Sequence, residues 1–151
     1  MRFSVHTALV AVALCIGISA VGQNKFQTSV KTIPQNSAGE FSVFASITKY
    51  LALGDAVSLS SWFADNLEVT VISSNRNCSR KQAQEILRSF FEANTPRSFQ
   101  PTHKASEGNK KYMIGLLNAG GELFQVTIYA TASAGDTYKI QQLIIARQTA
   151  Y

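Results

Sequence analysis

His103 is the side chain best suited to proton transfer, because it is the only histidine left once the first 22 residues are set aside. Histidine titrates near neutral pH. With Tyr112, Tyr129, Asp65 or Glu68 it could form a general acid–base group. No aspartate stands at a spacing from His103 that defines a catalytic pair. We therefore favour His103 as a strand residue with a polar neighbour, and keep the acid–base group as the alternative.

Cys78 is the second reactive side chain. It precedes a predicted helix, and Arg76, Arg80 and Lys81 stand close to it in sequence, a setting that favours a thiolate. No second cysteine follows that could resolve an oxidised thiol, so we favour a cysteine within a turn. One histidine and one cysteine are too few for a structural zinc site. We predict neither a metal nor a cofactor.

Aromatic side chains recur along the chain and could line a binding pocket. At helical and strand spacings such residues also form ordinary hydrophobic core. We predict that a pocket for a small apolar ligand is lined by Trp62, Phe63, His103, Tyr112 and Phe124.

The clearest helix runs from Ser79 to Asn94. Ser79 and Gln82 have the spacing of a capping box. Four apolar residues follow at helical spacing and predict one buried stripe, namely Ala83, Ile86, Leu87 and Phe90. Pro96 ends the helix, because the residue before a proline is pushed out of helical geometry.

Two further helices precede it. Residues 37–40 read Ser-Ala-Gly-Glu, a second capping box that should open a helix closed by Gly54. Asp55 then caps a short third helix that leads to Trp62 and Phe63.

The remaining segments predict strands. Residues 67–71 alternate apolar and polar side chains, and residues 73–77 read as a turn into the long helix. After Pro96 we predict strands at 98–105, 112–118, 123–132 and 138–147, joined by short glycine-bearing hairpins. Pro101 points to an edge strand or a bulge, and Gln141 and Gln142 to a second bulge.

The fold class is α+β, a curved antiparallel sheet of about five strands covered by three helices from the N-terminal half. Such a sheet would enclose a cone with an apolar pocket.

Composition supports a single folded domain. The chain has 151 residues, of which 46% are hydrophobic and 15% charged, and its net charge is +5. The basic excess lies between Arg76 and Lys111 and could meet anionic glycans, lipid headgroups or nucleic acid. We favour a solvated helix face and a charged turn, and predict no nucleic-acid role because no aromatic residues alternate with these charges.

The N-terminal residues predict export. Arg2 precedes an apolar run from Ala8 to Ile18, and small residues suited to signal peptidase follow. We expect residues 1–22 to be a signal peptide, residues 23–36 a flexible linker and residues 37–151 one domain. The mature protein would be periplasmic or extracellular, with no transmembrane segment.

Several short motifs resemble one secreted bacterial family. They are Leu53-Gly54-Asp55, Trp62-Phe63, Ser79 with Gln82-Ala83, Pro96 with Phe99, Tyr112 with Ile114-Gly115, Gly121 with Phe124 and Val126, and Tyr138 with Ile140-Gln141. Over about residues 40–147 the chain resembles the domain of unknown function 4783 family, within the nuclear transport factor 2-like (cystatin-like) superfamily. The resemblance implies a cone-shaped fold and brings no activity with it.

Three functions remain open from the sequence. We favour a non-enzymatic exported domain that binds a small apolar ligand or an envelope protein. One alternative is a pocket enzyme with lyase or isomerase chemistry that uses His103 and a tyrosine. The other is a structural or dimerisation module, which could act as a homodimer.

Overall fold

The computed structural model describes residues 37–135 and 137–149, so the predicted signal peptide and linker lie outside the described residues. Four helices and six strands follow one another in the order α1 Ser37–Glu40, α2 Ser42–Leu53, α3 Ala56–Ser60, β1 Phe63–Val71, β2 Ser74–Ser79, α4 Arg80–Ala93, β3 Pro96–Glu107, β4 Lys110–Ala119, β5 Glu122–Ala132 and β6 Tyr138–Arg147. Within these ranges no helix combines the length and hydropathy needed to cross a membrane.

The six strands form one curved sheet in the order β2-β1-β6-β5-β4-β3. Strands β3 to β6 pair as the predicted antiparallel meander, whereas β1 pairs with β6 in parallel. The register shifts after Pro101 on the edge strand β3, and again opposite Gln141, where β6 has one residue more than β5. Both predicted bulges are confirmed.

The predicted count of about five strands is corrected by β2. Residues 74–79 pair antiparallel with β1, although the sequence predicted a turn over residues 73–77. The first four side chains of β2 are exposed and polar, because β2 is an edge strand. Without an apolar face, the segment carries no period-2 signal.

Capping chemistry fixes the helix ends as the sequence predicted, with one exception. The backbone N–H of Gln82 donates to Ser79 Oγ at 3.3 Å, and Gln82 Oε1 accepts from the Ser79 N–H at 2.9 Å. Gly54 ends α2 at a φ of 66°, a left-handed conformation that glycine adopts without strain. The predicted single helix from Ser37 is wrong: Phe41 leaves helical geometry, with φ −108° and ψ 18°, and separates α1 from α2.

The helices pack on one face of the sheet and fill the space beneath them. The largest fully buried side chains come from α2, α3, α4 and four strands, and include Phe44, Ile47, Leu51, Leu59, Phe63, Leu87, Met113, Leu117, Phe124, Ile128, Ile140 and Leu143. These side chains belong to a single hydrophobic cluster. The interior of the cone is therefore mostly packed protein.

Candidate functional site

Phe63 and Phe124, two of the five predicted pocket residues, lie in the packed interior. Neither ring has any exposed surface. The Phe124 ring meets that of Phe90 edge to face, with centroids 5.1 Å apart. This geometry is typical of a core aromatic pair, and the two rings stabilise the fold.

His103 and Tyr112, two more of the five, lie on the opposite face of the sheet. On β4 the inward positions are held by buried residues such as Met113, whereas Tyr112 points outward and pairs across the strands with Tyr129. His103 is exposed, and its Nε2 lies 3.0 Å from Tyr112 Oη. The structure therefore brings the predicted histidine and a tyrosine into contact at an exposed position, where His103 also borders an open recess that it shares with Phe41, Ser42 and Ala45.

The two carboxylates considered as partners of His103 are engaged elsewhere. Asp65 forms an ion pair with Arg80 at 2.7 Å. Glu68 accepts a hydrogen bond from the Asn75 amide at 2.7 Å. The acid–base group reduces to His103 and its tyrosine neighbour.

Trp62, the fifth residue, lines a pocket bordered by the start of α2 and the start of β6. This depression, which we call the Trp62 pocket, has a volume of about 520 Å³ and is lined by Gly39, Ser42, Val43, Trp62, Lys111, Thr137 and Tyr138. Phe63, His103, Tyr112 and Phe124 do not line it. The five predicted residues thus divide among the core, the outer face and this pocket, because strand alternation sends Tyr112 and Phe124 to opposite faces.

Lys111 is one of the six lining residues, all except Trp62, that the sequence did not predict. Only 9% of its surface is exposed. Its ammonium donates a hydrogen bond to the Glu40 carbonyl oxygen and lies 4.3 Å from the centroid of the Tyr138 ring and 5.9 Å from that of Phe41. The sequence does carry a signal for this burial. Lys111 stands two residues before the buried Met113 on the same strand, so the two side chains point to the same face of the sheet. Lys111 lies within strand β4 and not in the predicted charged turn.

Comparison with known proteins identifies the family. A sequence model of the domain of unknown function DUF4783 matches residues 44–146, more than half of the chain. The chain belongs to the DUF4783 family. The predicted family resemblance is confirmed, and no curated protein matches this DUF4783 chain significantly.

Solved structures agree with this DUF4783 fold. A DUF4783 protein from Bacteroides uniformis is 17% identical with a TM-score of 0.67, the match covering 70% of this chain and 97% of that one. One from Bacteroides ovatus is 20% identical, also at 0.67, with coverages of 70% and 96%. An NTF2-like family protein from Streptomyces avermitilis is 13% identical at 0.58, with coverages of 78% and 99%. At such identities the likeness establishes the α+β cone fold and leaves the function open.

A second depression of this DUF4783 domain is an open groove of about 940 Å³ between β2 and α4, lined by Arg76, Asn77, Cys78, Ser79, Lys81, Gln82, Glu85 and Ile86. Cys78 lies within strand β2 rather than in the predicted turn, and its thiol donates to the Leu67 carbonyl at 3.8 Å. Burial raises the pKa of Cys78 and outweighs the opposing effect of Arg76. A raised pKa disfavours the thiolate, which is the nucleophilic form of cysteine.

The described residues hold no group of three or more histidine, cysteine, aspartate or glutamate side chains that could bind a metal ion. The Trp62 pocket differs from the other recesses of the described residues in that its charged group, Lys111, is buried against aromatic rings.

Proposed function

We propose that this domain is a non-enzymatic binding module that takes a small molecule with an aromatic or apolar body in the Trp62 pocket. The observation that supports this is the contrast between a filled interior and an open recess walled by Trp62, Val43 and Tyr138. The ligand sits in this recess rather than deep inside the cone.

The physical gain comes from apolar contact. Covering apolar surface contributes about 25 cal/mol per Å², before the costs of association are subtracted. Trp62 and Tyr138 are both half-buried in the free protein, so each keeps surface that a ligand can cover. Aromatic rings gain further from offset or edge-to-face contacts.

A neutral fluorescent probe, N-phenyl-1-naphthylamine, tests the proposal directly. Trp62 is the only tryptophan in the chain, so a bound probe should quench its emission and show saturation. Thr137→Phe should fill the pocket and block binding, whereas Ser73→Phe adds the same ring on the exposed β1–β2 turn and should not. His103→Gln should also leave binding intact. Absence of saturable binding, or equal loss in the two phenylalanine variants, would refute the proposal.

A second candidate is an enzyme with lyase or isomerase chemistry. One observation favours it: His103 Nε2 and Tyr112 Oη lie within hydrogen-bond distance. Exposure of His103 weighs against it, because water screens an open acid–base pair. If the protein eliminates water from a β-hydroxy carbonyl compound and His103→Gln abolishes this turnover, the enzyme hypothesis replaces ours.

We also propose that the protein is exported. The support is the sequence alone, Arg2 followed by the apolar run from Ala8 to Ile18. N-terminal sequencing of the secreted protein should begin near Val21 or Gln23. Secreted protein that keeps Met1, or that is acylated at Cys15, would show the assignment to be wrong.

A further inference from the structure

We propose that the Trp62 pocket selects an anionic ligand, a carboxylate attached to an aromatic body, and that Lys111 binds the carboxylate. This inference rests on the proposed function, since it assumes that the pocket binds a small molecule. It specifies the charge of the ligand, which apolar contacts alone do not determine.

The first argument is that Lys111 is buried and forms no ion pair with any described residue. Among the described residues, the ion pairs are formed by Arg80, Arg88 and Arg147, and none includes Lys111. Removing an ammonium from water is costly unless hydrogen bonds or an anion replace the lost hydration. Such a group gains more from an incoming anion than an exposed lysine does, because water screens it less.

The second argument is that the ammonium has donors to spare. A lysine ammonium carries three N–H donors and no acceptor. The Glu40 carbonyl accepts one of them, and the Tyr138 ring offers its π face 4.3 Å away. A neutral carbonyl and a ring leave the full positive charge in place. A carboxylate would add a charge-assisted hydrogen bond, which is shorter and stronger than a neutral one.

The third argument is the sign of the charge carried by the residues that line the pocket. Of the seven described residues that line the Trp62 pocket, one is a lysine and none is an aspartate or a glutamate. Ser42 and Thr137 add hydroxyl groups, which can donate to an anion. A lining with one lysine and no described carboxylate favours an anionic ligand over a cationic one.

The groove between β2 and α4 is the competing basic site and lacks these features. Its cations, Arg76 and Lys81, are exposed, and Glu85 in the same lining offsets part of their charge. Exposed charges are screened by salt and contribute little. Lys81 therefore supplies a matched control for Lys111.

Binding of 2-naphthoate and of its neutral amide, 2-naphthamide, followed by Trp62 emission, tests the inference. We expect naphthoate to bind at least about tenfold more tightly, a difference of about 1.4 kcal/mol, because only the carboxylate forms a charge-assisted hydrogen bond with Lys111. Lys111→Met should abolish this preference and keep amide binding. Lys81→Met should leave the preference unchanged, and Lys111→Arg should retain it.

Equal affinities for acid and amide in the wild type would overturn the inference while the proposed function stands. Binding of neither compound would overturn the proposed function itself. If Lys111→Met fails to fold, binding to the wild-type protein still tests the inference. The cation 2-naphthylmethylammonium should bind to it more weakly than the amide. Cation binding as tight as that of naphthoate would contradict the role of Lys111, and so would a loss of preference in Lys81→Met.

Discussion

The ring of Phe99 on edge strand β3 lies against Gly115 on the neighbouring strand β4. A Cβ atom placed on Gly115 would fall 2.3 Å from Phe99 Cζ and 2.9 Å from the Gln100 carbonyl oxygen. Only glycine allows this approach, and it lets the Phe99 ring reach the core, where it is 8% exposed. The contact joins the edge of the sheet to its interior just before the bulge at Pro101.

Gly115→Ala should therefore destabilise the domain by about 1–3 kcal/mol, the usual cost of overpacking. Because the clash is with the ring, Phe99→Leu should cost less in the Gly115→Ala background than in the wild type. Chemical denaturation of the two single variants and the double variant measures this coupling. Strictly additive losses would show that the ring does not limit residue 115.

Adjacent residues of α4 should differ sharply in their contribution to stability. Leu87 is fully buried, whereas the Arg88 side chain is 46% exposed and forms only a long ion pair with Glu85 at 3.6 Å. We expect Leu87→Ala to cost about 2–5 kcal/mol through lost burial and a cavity. Arg88→Ala should cost well under about 1 kcal/mol. Similar losses in urea denaturation would mean that the helix face is assigned incorrectly.

Asp55 should make stability depend on acid pH. Its carboxylate accepts hydrogen bonds from the Ser58 hydroxyl at 2.6 Å and from the Ser58 backbone N–H at 2.9 Å, and these bonds hold its pKa below the ordinary value. A lowered folded-state pKa stabilises the protein above the unfolded-state pKa, about 3.9, and this contribution is lost as the pH falls through the folded-state pKa.

Asp55→Asn is the matched control, because asparagine caps a helix about as well and does not titrate. The difference in unfolding free energy between wild type and variant should be constant above about pH 5 and should shrink as the pH falls below about 4. A difference that stays constant down to about pH 2 would show that Asp55 does not titrate differently in the folded state.

Most of the fold could be predicted because its signals are local. The capping box at Ser79, the left-handed Gly54 and the alternation along β5 each act within a few residues, and each is present as predicted. Strand β2 could not be predicted, because its first four residues are polar and exposed, so its backbone pairing with β1 leaves no apolar period in the sequence.

The site was harder to predict, because it depends on the register in which the strands pair and on how completely side chains fill the interior. Tyr112 stands opposite Tyr129, on the outer face, only because β4 pairs with β5 in the observed register. Periodicity gives each strand its two faces but does not say which face of one strand joins which face of the next. Nor does it say whether the side chains beneath the helices fill the cone, which here they mostly do.

Amide and indole chemical-shift mapping during a titration with 2-naphthoate tests the central claim most directly. We predict that the largest shifts fall on the Trp62 indole and on the backbone amides of Val43, Lys111, Thr137 and Tyr138, which surround the pocket. Shifts concentrated on His103, Tyr112 and Tyr129, or along the groove from Arg76 to Ile86, would place the ligand elsewhere and contradict the account.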